Sequence, residues 1–213
     1  MRDRVVVVAP VVNLAGVRDF DALRFTDAVA SELLSFPGFA AVPVNLTLAT
    51  LARAGLTRVE SAEDALALAE ELNADGTLVV GVTEYDPYDP PRVGLVMQWY
   101  PVRPGGGSPA LDPVATSRAS GELPVVELSG DAASAPRRQV QRTFYAADAA
   151  VRQEIERYAR GRGEHDSPYG WRRVVVNQEL YVRYCCWALI RSMLEPERPS
   201  EPVRDSDGAR AGT

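Results

Sequence analysis

The chain has 213 residues, 46% of them hydrophobic and 24% charged, with a net charge of −6 and a pI near 5.0. That composition is enough for one soluble domain with a real core, and the acidic balance argues against a general nucleic-acid coat. All 23 basic residues are arginine and the lone histidine is His165, which excludes lysine-dependent chemistry, the P-loop clamp and Schiff-base catalysis included, and multi-histidine zinc sites.

Val5 to Val12 reads as a buried strand, because its β-branched run is too short and too interrupted by Pro10 for an export signal or a membrane span. As written, the chain is expected to carry no signal segment. Asp19 or Asp21 can cap a helix to about Ser35 with Leu23, Ala30, Leu33 and Leu34 inward. Phe39 to Val44 predicts a second strand, and Thr47 a cap for a brief helix ended by Gly55. Ser61 to Asp64 resembles a capping box opening a helix to about Leu72, followed by a buried strand from Thr77 to Thr83. The order β-α-β-α-α-β is that of an α/β sheet with parallel strands. A strand from Arg92 to Val102 follows after so short a connection that it should be antiparallel, giving a mixed sheet of about four to five strands.

Residues 101–138 hold six prolines and five glycines, including Gly105-Gly106-Gly107, and read as a flexible loop with one weak strand at Leu123 to Leu128. Gln139 to Tyr145 is a strand or a helix lead-in, and Asp148 caps a helix to about Arg160. A helix from Asn177 to Leu194 is apolar around most of its circumference and should be deeply packed. It carries adjacent Cys185 and Cys186, read as small apolar fillers with no redox role. The expected organisation is one α/β domain over 1–195, completed by a C-terminal helical region over 139–195, and a disordered tail over 196–213.

Charge is uneven: residues 1–136 hold 9 arginines against 18 acids, and residues 137–173 hold 9 against 5. The two regions are expected to pair internally or to be solvated. Among the acids, Glu84-x-Asp86-x-x-Asp89 places three carboxylates after a buried strand, where a hard cation could be bound. The same turn, Tyr85-Asp86-Pro87-Tyr88-Asp89-Pro90-Pro91, is aromatic and proline-stiffened, which suits either partner recognition at low entropic cost, with Trp99 on the next strand, or ordinary packing of the rings over the sheet edge. Arg172 and Arg173 are a weaker anion-binding candidate. His165-Asp166-Ser167 are sequence neighbours in a loop and no Gly-x-Ser-x-Gly elbow exists, so no catalytic residue is assigned. Asn13-Leu14-Ala15-Gly16 lacks the glycines of a dinucleotide loop, and no cofactor is expected.

Several segments of residues 4–102 carry a resemblance: Pro10-x-x-Asn13, the helix from Asp21 to Leu33, Phe39-Ala-Ala-Val-Pro-Val44, and the run from Ala67 through Ala74-Asp75-Gly76 to Glu84. Together they resemble the superfamily of the TolB amino-terminal domain and the CsgG- and LpoB-type envelope lipoproteins. Ser167-Pro-Tyr-Gly-Trp171 and Asn177-Gln-Glu-Leu-Tyr-x-Arg-Tyr184 resemble bacterial envelope proteins sharing that domain. The resemblance implies a non-catalytic α/β domain that binds other envelope proteins in the envelope or periplasm. Members usually carry export signals and often a lipid-modified cysteine; with neither here, a cytoplasmic location is the other expectation. The resulting expectation is an interaction domain using Tyr85, Asp86, Pro87, Tyr88, Asp89 and Trp99, with a metal-dependent enzyme or ligand-binding protein using Glu84, Asp86 and Asp89 as the alternative.

Overall fold

Alternate residues of a strand face opposite ways, and the computed structural model of the protein, which describes residues 2–18, 20–102, 136–163 and 167–195, shows where each set goes. In β1 (Arg4–Val8), Val6 and Val8 face one layer of helices, while Val7, with Ala9 just beyond, faces the other. The same division runs along β4 (Gly76–Asp86), where Leu78, Val80 and Val82 face the first layer and Val79 the second. A strand sandwiched in this way is apolar on both faces, which is why its sequence is a nearly continuous valine run.

The sheet is mixed. β3 (Phe39–Ala41) and β4 flank β1 in parallel, and β5 (Arg92–Pro101) and β6 (Arg138–Tyr145) continue it antiparallel, giving the order β3-β1-β4-β5-β6. A sixth, two-residue strand, β2 (Val12–Asn13), pairs with β4 in parallel. The helices α1 (Ala22–Leu33), α4 (Ala149–Gly161) and α6 (Gln178–Leu194) cover one face. On the other lie α2 (Val44–Arg53) and α3 (Ala62–Glu71), and a five-residue helix, α5 (Arg172–Val176), leads into α6. The fold class is thus the expected one: a mixed α/β sheet flanked by helices, with a helical C-terminal region.

Local chemistry explains both matches and corrections. Ser61 and Asp64 form the full capping box at α3: the Asp64 amide donates to the Ser61 hydroxyl at 3.0 Å, and the Ser61 amide to the Asp64 carboxylate at 2.9 Å. Asp21 caps α1 and Asn177 caps α6, accepting from the amides of Arg24 and Leu180. The strand expected from Val5 to Val12 is broken in two. Pro10 has no amide to continue a ladder, and the Val11 amide donates instead to the Thr26 hydroxyl of α1 at 2.9 Å. Phe39–Val44 shortens to Phe39–Ala41, because Pro43 takes the cap position of α2 and Val44 already belongs to that helix. Thr47 is therefore buried inside α2 and is not its cap. Gln139–Tyr145 resolves to a strand, and β4 runs on to Asp86, three residues further than expected.

The inward face of α1 also differs from expectation. Leu23 and Leu34 are exposed, and the buried arc is Phe25, Thr26, Ala28, Val29, Ala30, Glu32 and Leu33. That arc is wide because α1 packs against α6 as well as the sheet. Glu32 is fully buried within it, where the guanidinium groups of Arg162 and Arg183 and the hydroxyl of Tyr158 donate to its carboxylate. Cys185 and Cys186 are fully buried and unpaired, and burial pushes both thiols well up from their ordinary value. The glycine-rich run, the weak strand at 123–128, Asp19, His165, Asp166 and the tail from 196 lie outside the described residues.

Candidate functional site

Tyr85 and Tyr88 are three residues apart and have different surroundings. A bulge in β4 between Val82 and Glu84 shifts the pairing with β5, so that Glu84 opposes Gly94 and Tyr85 opposes Val93. Gly94 is needed there: a Cβ on it would lie 2.6 Å from the Thr83 hydroxyl and 3.0 Å from Glu84 Cβ. The shift turns Tyr85 onto the α1 face, where its ring meets Phe20 and Phe25 edge-on, with centroids 5.9 and 5.5 Å away. The side-chain amide of Gln178, at the start of α6, donates to the Tyr85 hydroxyl. Burial raises the Tyr85 pKa, and the Gln178 bond opposes that rise in part. Tyr85 thus packs between three elements.

Tyr88, by contrast, is 80% exposed at the crest of the turn. Its amide donates to Asp86 Oδ1 at 3.2 Å, a side-chain-closed turn, and the Asp89–Pro90 peptide bond is cis. Glu84 is engaged by Arg92, whose guanidinium lies 3.2 Å from its carboxylate and 4.4 Å over the Tyr145 ring. The Glu84 bond raises the Arg92 pKa. Among the described residues, no three His, Cys, Asp or Glu side chains gather as metal ligands would. Glu84, Asp86 and Asp89 share one strand end and its turn without converging.

Trp99 does not join this surface. It opposes Leu78, six residues along β5 from Val93, or about 20 Å at the rise of an extended strand. Trp99 lies half-buried against the core near the opposite end of the sheet.

Other exposed apolar side chains do lie at the Tyr88 end. Tyr169 is 71% exposed in the turn before α5, and Val176 is 72% exposed at the end of that helix, two residues before Gln178. Leu23 stands on the first turn of α1 beside Phe25, and Leu14, whose amide donates to the Val82 carbonyl at 2.8 Å, is exposed next to the end of β4. Arg172 and Arg173 are exposed in the same region. Arg172 lies 5.8 Å from the Trp171 ring centroid, while Arg173, Tyr169 and Val176 line a shallow cleft with Ser167, Pro168 and Asn177. Sequence reasoning missed Tyr169 and Val176, although Pro168 and Gly170 mark Tyr169 as a turn residue. Only the docking of α6 against α1, β5 and β6 brings them to the Tyr85 end.

A three-layer α/β domain with a mixed sheet and an aromatic pole at the carboxyl end of β4 is the class this arrangement defines. Neither a protein-family model nor a curated protein matches the sequence. Solved structures with partial similarity include lipoprotein GNA1162 from Neisseria meningitidis, at 13% identity and a TM-score of 0.45 over 78% of this chain and 99% of that one. The C-terminal domain of LpoB from Escherichia coli aligns at 19% identity and a TM-score of 0.36, covering 45% of this chain and 70% of that one. The hypothetical protein CT253 from Chlamydia trachomatis aligns at 15% identity and a TM-score of 0.27, over 46% and 58% of the two chains.

Proposed function

We propose that this chain is a non-catalytic protein-binding domain of the bacterial cell envelope, and that its partner docks on the pole formed by Tyr88, Tyr169 and Val176. The observation that carries the reading is the exposure of these three apolar side chains at one end of the sheet, on turns anchored by a packed tyrosine. A rigid base holding exposed aromatic rings is what protein recognition needs, since little side-chain entropy is lost on binding. The envelope location rests on the sequence resemblance of residues 4–102.

A photo-crosslinking amino acid placed at Tyr88 in cells tests the reading, with one at exposed Glu63 on α3 as control. A discrete adduct from position 88, absent from position 63 and lost on Tyr169→Asp/Val176→Asp at unchanged melting temperature, supports it. Equal adducts from both positions, or none, sinks it. Recovery of the protein only from the cytosolic fraction would overturn the envelope assignment while leaving the docking surface standing.

A further inference from the structure

At the opposite end of the sheet from Tyr88, a cleft of about 760 Å³ opens between the sheet and the last turns of α1 and α6. Its inner wall is apolar: Leu33, Leu78, Met97 and Ile190 are buried core residues, with half-buried Trp99 and Phe39 nearer the mouth. Three arginines among the described residues line it as well, Arg4, Arg137 and Arg138. Arg138 donates to the Glu195 carbonyl, but neither Arg4 nor Arg137 has a hydrogen-bond or ion-pair partner for its side chain among the described residues. Asp75, the one acid among the described residues of the lining, is already engaged, accepting from the Val5 amide at 2.7 Å and facing Arg2 at 3.6 Å.

We infer that this cleft binds an anionic amphiphile, an acyl chain lying along Leu78, Met97 and Ile190 with its carboxylate or phosphate head held by Arg4 and Arg137. The volume falls within the roughly 300–1,000 Å³ of small-molecule sites. An apolar trough with cations at its mouth and its acid neutralised is complementary to a molecule that is greasy at one end and negative at the other. Arginine also suits such a head, because its planar fork offers paired donors to carboxylate or phosphate oxygens. The site is separate from the docking pole at Tyr88, so either assignment can fail without the other.

The test is quenching of tryptophan fluorescence in the full chain by dibromostearate, kept below its micelle concentration. Bromine quenches at short range, and Trp99 lines the cleft. The expected result is saturable quenching at one ligand per chain, largely lost in Trp99→Phe. Affinity falls at least tenfold in Arg4→Glu/Arg137→Glu, whose melting temperature stays at that of the parent because both side chains are exposed. Palmitate or palmitoyl-lysophosphatidylglycerol should displace the probe, their ranking telling a carboxylate head from a phosphate one, and uncharged hexadecanol should not. Unsaturable quenching, quenching unchanged in Trp99→Phe, indifference to the two charge reversals, or equal displacement by hexadecanol each overturns the proposal.

Discussion

Glu32 and Arg183 are 151 residues apart in the chain and 2.8 Å apart in space, the carboxylate fully buried and the guanidinium a third exposed. With Arg162 and Tyr158 also donating to it, Glu32 joins α1 to α4 and α6. That bond to Glu32 is the main reason the Arg183 pKa is raised.

Two cations around one buried acid should not contribute additively. Arg183→Met leaves Arg162 in place and is expected to destabilise by about 2 kcal/mol, the scale of a hydrogen bond to a charged group. Arg162→Met/Arg183→Met leaves a carboxylate in the core with no cation, and its loss should exceed the sum of the single variants. Urea unfolding of the three variants measures the coupling; strict additivity would show that solvent reaches Glu32.

The two tyrosines of the acidic turn should separate in stability. If both rings served only partner recognition, replacing both by alanine would leave the fold nearly untouched. The packing of Tyr85 against Phe20 and Phe25 and its bond from Gln178 correct half of that. Tyr85→Ala is expected to cost about 2–3 kcal/mol, less than the roughly 3–5 kcal/mol of a fully buried aromatic because the ring is half-buried, and Tyr88→Ala less than about 0.5 kcal/mol. Thermal unfolding of the two single variants decides it.

Gly76 has no room for a methyl group. A Cβ there would lie 2.5 Å from the Trp99 ring and 2.6 Å from the Tyr100 carbonyl oxygen. Gly76→Ala should destabilise by about 1–3 kcal/mol through overpacking. Combining it with Trp99→Phe should recover only part of the loss, because the carbonyl belongs to the paired backbone of β5 and stays. Full recovery in denaturant titrations would mean that the indole ring alone is the obstacle.

Alkali should unfold the protein through its buried phenols. Burial raises the pKa values of Tyr158, Tyr181 and Tyr184 above the ordinary 10.0, and pushes Tyr100 up to about 12. Above pH 10 the unfolded chain releases phenolic protons that the folded chain keeps, so the unfolded state binds fewer protons and stability falls as pH rises. The contribution is complete below about pH 10 and is lost as pH climbs towards the raised folded values. Urea midpoints should drop between roughly pH 9 and roughly pH 11, with tyrosinate absorbance appearing together with unfolding, and Tyr184→Phe should flatten the fall.

What the sequence made legible was local. The capping box at Ser61, the caps at Asp21 and Asn177, the valine strands and the antiparallel return after Asp86 all depend on neighbours within a few residues, and periodicity records them. The bulge at Val82–Glu84 leaves its trace only as Gly94 on the partner strand, so the turn reads three residues too long and the sequence does not decide between an exposed and a packed Tyr85. Burial of Glu32 and exposure of Leu23 depend on α6 packing against α1, a pairing across some 150 residues that helical periodicity does not encode. Tyr88 was found because its exposure follows from a proline-rich turn. Tyr169 and Val176 were missed because their place beside that turn is set by tertiary docking.

The parallel pairing of β1 with β4 has a mechanical consequence. Arg4 and Leu194 stand at one end of the sheet and Tyr88 at the other, with the hydrogen-bonded register from Gly76–Pro101 to Asp86–Arg92 running between them. A tether at either of the first two residues and a load at the third would pull nearly along the strands. With the tether at Arg4, the parallel rungs between β1 and β4, from Val6–Gly76 to Val8–Leu78, share the force and yield together, whereas a pull across the strands would part them one at a time. The molecule is built to resist tension along its long strands far better than across them.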